Sequence, residues 1–329
     1  MGLSFLLVPL LFFTSAWAFD DPWFFQSVSS ARILNGDELL RIGEIHDVQN
    51  HFPEALTYYE QALESFRTTK QWRGEATALT KIGSIFERQG RREAAAVHLR
   101  DALSLYRKVP NSPAYPDALL TLGRISAWLG SHGEASHLFE QAIDRYSRSR
   151  NVQGLNSARI QLGLMRISDG LTEEGLRLLQ QAFEDAKNRH DTAETLGALL
   201  ALGDARWILD DLETARLHYE QALVLVEQSP QISREAGLRY RLAAIYGVTG
   251  QQEKGIVFSK RAVTLYQSLR DSSGEAASWS LLASLHQALR QDQQAAESQQ
   301  HALSLYRQRQ LMVHPVRSSV DPPLSGSSR

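Results

Sequence analysis

Ile42-Gly43, Ile82-Gly83, Leu122-Gly123, Leu162-Gly163, Leu202-Gly203, Leu242-Ala243 and Leu282-Ala283 recur at an unbroken spacing of 40 residues. Twelve residues after each comes another small residue, at Ala55, Ala95, Ala135, Gly175, Ala215, Gly255 and Ala295. Seven further on stands alanine every time, at Ala62, Ala102, Ala142, Ala182, Ala222, Ala262 and Ala302, followed by a large apolar residue such as Leu63 or Phe183. Self-similarity at a fixed period is the signature of a repeat architecture, in which one supersecondary unit stacks on the next. Seven units of 40 residues run from about Leu34 to Val313.

Each unit reads as two amphipathic helices. In the second, Ala76, Leu79, Ile82, Gly83 and Phe86 fall at helical spacing, Gln89-Gly90 marks a turn, and Ala95, Leu99, Ala102, Leu103 and Tyr106 resume the spacing. Turn signals stand at Gly90, Gly130, Gly170, Asp210 and Gly250, with the weaker Asn50 and Arg290 in the same places. Pro110, Pro113, Pro116 and Pro230 and the glycines Gly74, Gly154 and Gly274 separate units. Glycine inside an exposed helix costs about 1 kcal/mol relative to alanine. Its return at one site in five units predicts helices that approach too closely there for a larger side chain.

These residues resemble the tetratricopeptide repeat, with its large residue, Leu-Gly pair and later spaced small and aromatic positions. The second unit supplies Leu79, Ile82-Gly83, Phe86, Ala95, Leu99 and Ala102 at those places. The 40-residue period and segments such as Glu54 to Leu63 look like the longer repeats of kinesin light chain and of arrays beside CHAT-type proteases. The resemblance implies an all-α, right-handed superhelical solenoid of seven helical hairpins, hence 14 helices, that serves as a scaffold for partner proteins. Arg159 and Arg166 in the fourth unit and Arg206 in the fifth replace bulky packing residues, so those units are expected to be looser.

Outside the array, residues 1–18 contain no Asp, Glu, Lys or Arg, and the apolar run Leu3 to Phe13 precedes the small-x-small triplet Ala16, Trp17, Ala18. This reads as an export signal cleaved before Phe19, placing the product in the periplasm or outside; an uncleaved N-terminal membrane anchor is the alternative. Residues 19–33 carry Pro22, Trp23, Phe24 and Phe25 and are expected to cap the first unit, the alternative being a docking peptide for another protein. The last unit is expected to end the stack with the polar Glu297, Ser298, Gln299 and Gln300. Residues 314–329 are rich in Pro, Ser and Gly and read as a disordered tail.

Composition narrows the function. With 35 Lys+Arg against 37 Asp+Glu, a formal charge of −2, the chain lacks the concentrated basic surface that nucleic acid needs. It has no cysteine, so it forms no disulfide and no thiolate metal site. Nucleophile elbows, phosphate loops, His-Glu-x-x-His and Ca²⁺ loops are missing from the sequence, so no enzyme, cofactor or metal is expected. After signal cleavage no further stretch is long and apolar enough to span a bilayer.

The inner surface remains as a candidate site. By the resemblance, the first helix of each pair lines a concave groove. The first two units present polar and acidic residues there, including Asp37, Glu44, Asp47 and Glu87. The central units present Leu120, Arg124, Trp128, Ile160, Leu164, Ile167, Leu200, Asp204, Trp207 and Ile208, followed by Tyr240 and Val248. Either these residues bind a segment of an envelope or secreted protein, with Arg124 and Asp204 fixing its direction, or they pack against the next repeat. In the second case the chain is a structural array that self-associates into homo-oligomers. The carboxylate-clamp subtype is not supported, because Leu40 and Glu44 occupy its places.

Export has a direct check: mass spectrometry of the native protein should find Phe19 as the first residue, and intact Met1 in a soluble cytoplasmic pool would refute it.

Overall fold

The structure, a computed structural model, describes residues 34–228 and 231–313, so the expected signal, aromatic segment, tail and breaker Pro230 lie outside the described residues. Fourteen α-helices and no strand are found among the described residues, two helices per 40-residue unit. In chain order they are α1 (Gly36–Val48), α2 (Phe52–Thr68), α3 (Trp72–Arg88), α4 (Arg92–Tyr106), α5 (Tyr115–Trp128), α6 (His132–Arg148) and α7 (Val152–Ser168). The second half comprises α8 (Thr172–Asn188), α9 (Thr192–Ile208), α10 (Leu212–Gln228), α11 (Ile232–Val248), α12 (Gln252–Ser268), α13 (Ser272–Ala288) and α14 (Asp292–Val313).

A single turn geometry sets the period. Asn50, Gly90, Gly130, Gly170, Asp210, Gly250 and Arg290 all take φ between 56° and 83°, the left-handed conformation that ends a helix. The residue after each reaches back five positions, as in Arg91 N–H to the Phe86 carbonyl at 2.8 Å. Lys70, Arg150, His190 and Arg270 close second helices in the same way. Most helices have 17 residues, so helix and turn together repeat every 20 and the unit every 40. The seam between α4 and α5 departs from this rule, where Pro110 and Pro113 lengthen the connection.

Within a unit the conserved-register glycine lies beneath a bulky side chain sixteen residues later. A Cβ on Gly43 would come within 2.5 Å of the Tyr59 ring, one on Gly83 within 2.7 Å of Leu99, and one on Gly123 within 2.5 Å of Phe139. Leu179 covers Gly163 and Tyr219 covers Gly203 in the same manner. Where alanine takes the glycine's place, at Ala243 and Ala283, the covering position holds Ser259 and Gln299. Ser259 is smaller than the residues that cover the glycines, whereas Gln299 is exposed on the last helix. A second contact joins units: the rings of Phe66, Tyr146 and Tyr266 lie on Gly74, Gly154 and Gly274 of the following unit.

The apolar core is one cluster from Leu39 to Leu178 and then divides in two, around Ile167 with Leu202 and around Leu199 with Leu242. Arginines stand near the division. Arg159 meets Asp185 at 2.5 Å, Arg166 pairs with Glu140 and Glu174, and Arg206 meets Asp211 at 3.2 Å. Apolar filling at these positions is therefore replaced by half-buried ion pairs, which tie α7 to α6 and α8.

First helices of adjacent units lie against one another, α1 on α3, α3 on α5, α5 on α7, α7 on α9 and α11 on α13, whereas successive second helices do not meet. The stack accordingly bends around its first helices. Between α9 and α11 even the first helices stand apart.

The glycine contacts predict opposite signs for one kind of substitution. Gly123→Ala should destabilise by roughly 1 to 3 kcal/mol through overpacking against Phe139. Gly197→Ala, whose Cβ would meet nothing within 4 Å, should stabilise by about 0.5 to 1 kcal/mol through helix propensity. Urea denaturation of the two variants checks this.

Candidate functional site

Because the stack bends around the first helices, their free faces form its inner wall, and a ladder of side chains runs along it from unit to unit. Lys81 meets Glu44 at 2.8 Å, Arg88 pairs with Asp47, and Arg124 grips both oxygens of Glu87 at 3.1 and 3.3 Å. Asn156 donates to Glu194 at 3.2 Å. Across the gap between α9 and α11, Arg241 donates to Asp204 at 3.0 Å while the Tyr219 hydroxyl donates to the same oxygen at 2.6 Å. Glu44–Lys81, Glu87–Arg124 and Asp204–Arg241 share one spacing of 37 residues. It is the separation at which a position on one first helix faces the next.

This ladder bears on two expected site residues. Arg124 and Asp204 already have partners inside the array, so their charges join repeats. Exposed pairs of this kind contribute roughly 0 to 1 kcal/mol each. In the Asp204 network the Tyr219 ring is buried, while the ion pair itself is half-exposed like the others. Burial pushes the Tyr219 hydroxyl well above the ordinary tyrosine range, reinforced by its bond to Asp204. Burial opposes the Arg241 charge, but Asp204 and Tyr219 more than offset it and raise its pKa.

The other expected residues divide by burial. Leu120 is buried in the first core cluster. Ile167 is buried in the cluster that Ile160 and Leu164 flank, and Leu200 packs on the neighbouring cluster. Tyr240 is half-buried on α11. Four remain open to solvent: Trp128 at 60 %, Trp207 at 36 %, Ile208 at 54 % and Val248 at 70 %. All four lie at the carboxyl ends of first helices, and Trp128, Ile208 and Val248 take the same place in units three, five and six. They lie along one edge of the groove, with the polar Ser168 at the same place in unit four. The Arg92 guanidinium, 4.2 Å from the Trp128 ring centre, braces the first of them and was not foreseen from sequence. Nothing in a linear reading links Arg92, at the start of α4, with a ring at the end of α5.

An open cleft of about 570 Å³ also lies where the first two units meet, lined by Leu40, Phe66, Trp72 and Val109 among others. No group of three or more His, Asp or Glu among the described residues is placed to hold a metal ion. No described helix is long and apolar enough to cross a membrane.

Bent stacks of helical hairpins with small residues at the crossing points form a class of protein-scaffold folds. The sequence profile described as tetratricopeptide repeat matches residues 38–108 and 74–148. Residues 38–148 thus match the tetratricopeptide repeat family, and the same 40-residue register continues through the remaining units. Among solved structures, BtubC (BKLC) from P. vanneervenii is 18% identical with a TM-score of 0.59, over 73% of this chain and 97% of that one. A putative kinesin light chain with nearly identical repeats from Podosopora anserina is 20% identical with a TM-score of 0.52, over 61% of this chain and 99% of that one. A Rap protein complexed with Competence and Sporulation Factor is 14% identical with a TM-score of 0.63, over 88% and 90%. At these identities the likeness defines the fold. A search of the curated proteins finds no match.

The buried hydroxyls give the array a pH signature. Burial, first of all, raises the pKa of Tyr59, Tyr106, Tyr146, Tyr219, Tyr246 and Tyr266. An unfolded tyrosine releases its proton near pH 10 while the folded one retains it, so the unfolded state then binds fewer protons. The stability from these six groups is complete below about pH 10 and is lost as pH rises above it. Titration followed by tyrosinate absorbance should show a set of hydroxyls that ionise only as helical circular dichroism is lost.

Proposed function

We propose that the chain is an exported, non-catalytic adaptor that holds an apolar segment of an envelope or secreted protein against the groove edge formed by Trp128, Trp207, Ile208 and Val248. The observation that carries this reading is the exposure of these four side chains at the carboxyl ends of first helices. Tryptophan suits such an anchor, since it buries a large rigid surface and keeps a polar handle. The apolar run Leu3 to Phe13 and the triplet Ala16-Trp17-Ala18 support export. A Rap protein of the same fold has been solved complexed with Competence and Sporulation Factor, which supports a protein or peptide occupant.

Self-association is the second reading, favoured by the two ends of the array. Leu303 and Tyr306 are 43 % and 42 % exposed, whereas their counterparts Leu63 and Phe66 are buried by the next unit. Ile45 is 57 % exposed at the other end, where its counterparts Ile85 and Ile125 are buried. The last helix therefore presents apolar residues beside its exposed Glu297, Gln299 and Gln300.

One experiment separates the two. Trp128→Ala with Trp207→Ala should weaken capture of a partner from envelope extract at least tenfold, each lost anchor being worth about 2 kcal/mol, while helix content and melting stay nearly intact. Unchanged capture would refute the groove edge. Light scattering of the unmodified chain across a concentration series should show a constant mass, and a rising mass without added partner favours the array.

A further inference from the structure

We propose that the acidic and aromatic segment Phe19-Asp20-Asp21-Pro22-Trp23-Phe24-Phe25 docks, within the same chain, into the cleft between the first two units. This inference is independent of the central groove edge. Leu40, Phe66, Trp72 and Val109 supply the apolar part of the cleft's lining. Trp72 is 47 % exposed, although it begins α3 at a place where α7, α9, α11 and α13 begin with Val152, Thr192, Ile232 and Ser272. An indole at that point has no counterpart among these units. It forms one wall of the cleft.

Charge selects the occupant. Lys70 and Arg73 stand on the rim, exposed and without a carboxylate partner among the described residues, against the single acid Asp37. Lys108 adds a third cation, 4.6 Å from the centre of the Trp72 ring. The segment offers the complement in one short stretch: two adjacent carboxylates, a proline that holds the backbone extended, and three aromatic rings. Aromatic side chains on the apolar part of the lining and carboxylates on a basic rim would satisfy both parts of the cleft together.

Reach is also sufficient. Asp37, in the first turn of α1, lines the cleft, so the chain preceding α1 emerges at its wall. The eight residues from Gln26 to Ile33 separate Phe25 from Leu34 and span up to roughly 28 Å when extended. A tether this short keeps the segment at an effective concentration in about the millimolar range, so even a weak site is filled.

The absence of cysteine makes a crosslinking test clean. Gln71, exposed and making no side-chain cap bond, lines the cleft and tolerates replacement. In the full chain, Phe24→Cys with Gln71→Cys should form a disulfide within one chain under mild oxidation, and Phe24→Cys with the distant Glu253→Cys should not. Adding Asp20→Lys and Asp21→Lys should slow the reaction roughly three- to tenfold, and Lys70→Glu with Arg73→Glu in that background should restore it. Disulfides formed mainly between two chains, equal yields for the two cysteine pairs, or no effect of the charge reversal would each overturn the proposal. As a check that does not depend on cysteines, amide exchange across residues 70–77 should accelerate in Asp20→Lys/Asp21→Lys. Unchanged exchange would count against docking.

Discussion

The close approach of a bulky side chain to a glycine sixteen residues before it is the constraint on which the remainder of the array rests. Gly43 under Tyr59 and Gly123 under Phe139 bring the two helices of a unit close enough for the ring to replace the missing side chain as filling. That approach sets the tilt of the hairpin. The tilt repeated seven times gives the bend that brings first helices together, and the bend creates an inner wall. In unit six the glycine's place is taken by Ala243 and the covering position by the small, buried Ser259.

Much of this was legible in the sequence. The small residues, the period and the turns were visible because each is a local requirement repeated at a fixed spacing. The left-handed residues that close second helices were less so, since Lys70, Arg150, His190 and Arg270 adopt a conformation for which glycine is the usual signal. At the groove the reading separated less well. Leu120 and Ile167 look like Trp128 and Val248 in a list of inner-wall positions, yet the first two are core and the last two are open. Which of them is covered depends on the neighbouring unit's side chains. Arg124 and Asp204 look like ligand contacts in the linear sequence, whereas the cross-unit spacing of 37 residues pairs them with Glu87 and Arg241.

The arginines of the middle units show a different use of charge. Arg159 and Arg166 interrupt the apolar stripe, and a sequence reading expects looseness there. They instead form bonds to Asp185, Glu140 and Glu174 on the flanking helices. Ion pairs are directional where apolar contacts are not, so this part of the stack holds its register by geometry more than by volume. The apolar clusters separate near the same place, and a little further on α9 and α11 part company, spanned by Asp204, Arg241 and Tyr219.

The seams between units also amount to a code for their order. Phe66 on Gly74, Tyr146 on Gly154 and Tyr266 on Gly274 are joints of one gauge, ring upon glycine. At two other seams the same register holds Ala186 with Glu194 and Val226 with Arg234, a smaller residue where the ring stands and a larger one where the glycine stands. Excising units four to six would bring Tyr146 onto Gly274 and rebuild a joint of the first kind. Removing the fourth alone would drive the same ring onto Glu194. Recombination between copies of such a gene is therefore filtered at the protein level: shuffles that mate like gauges yield shorter arrays that still close, and the rest are lost to steric conflict, although every crossover preserves the 40-residue frame.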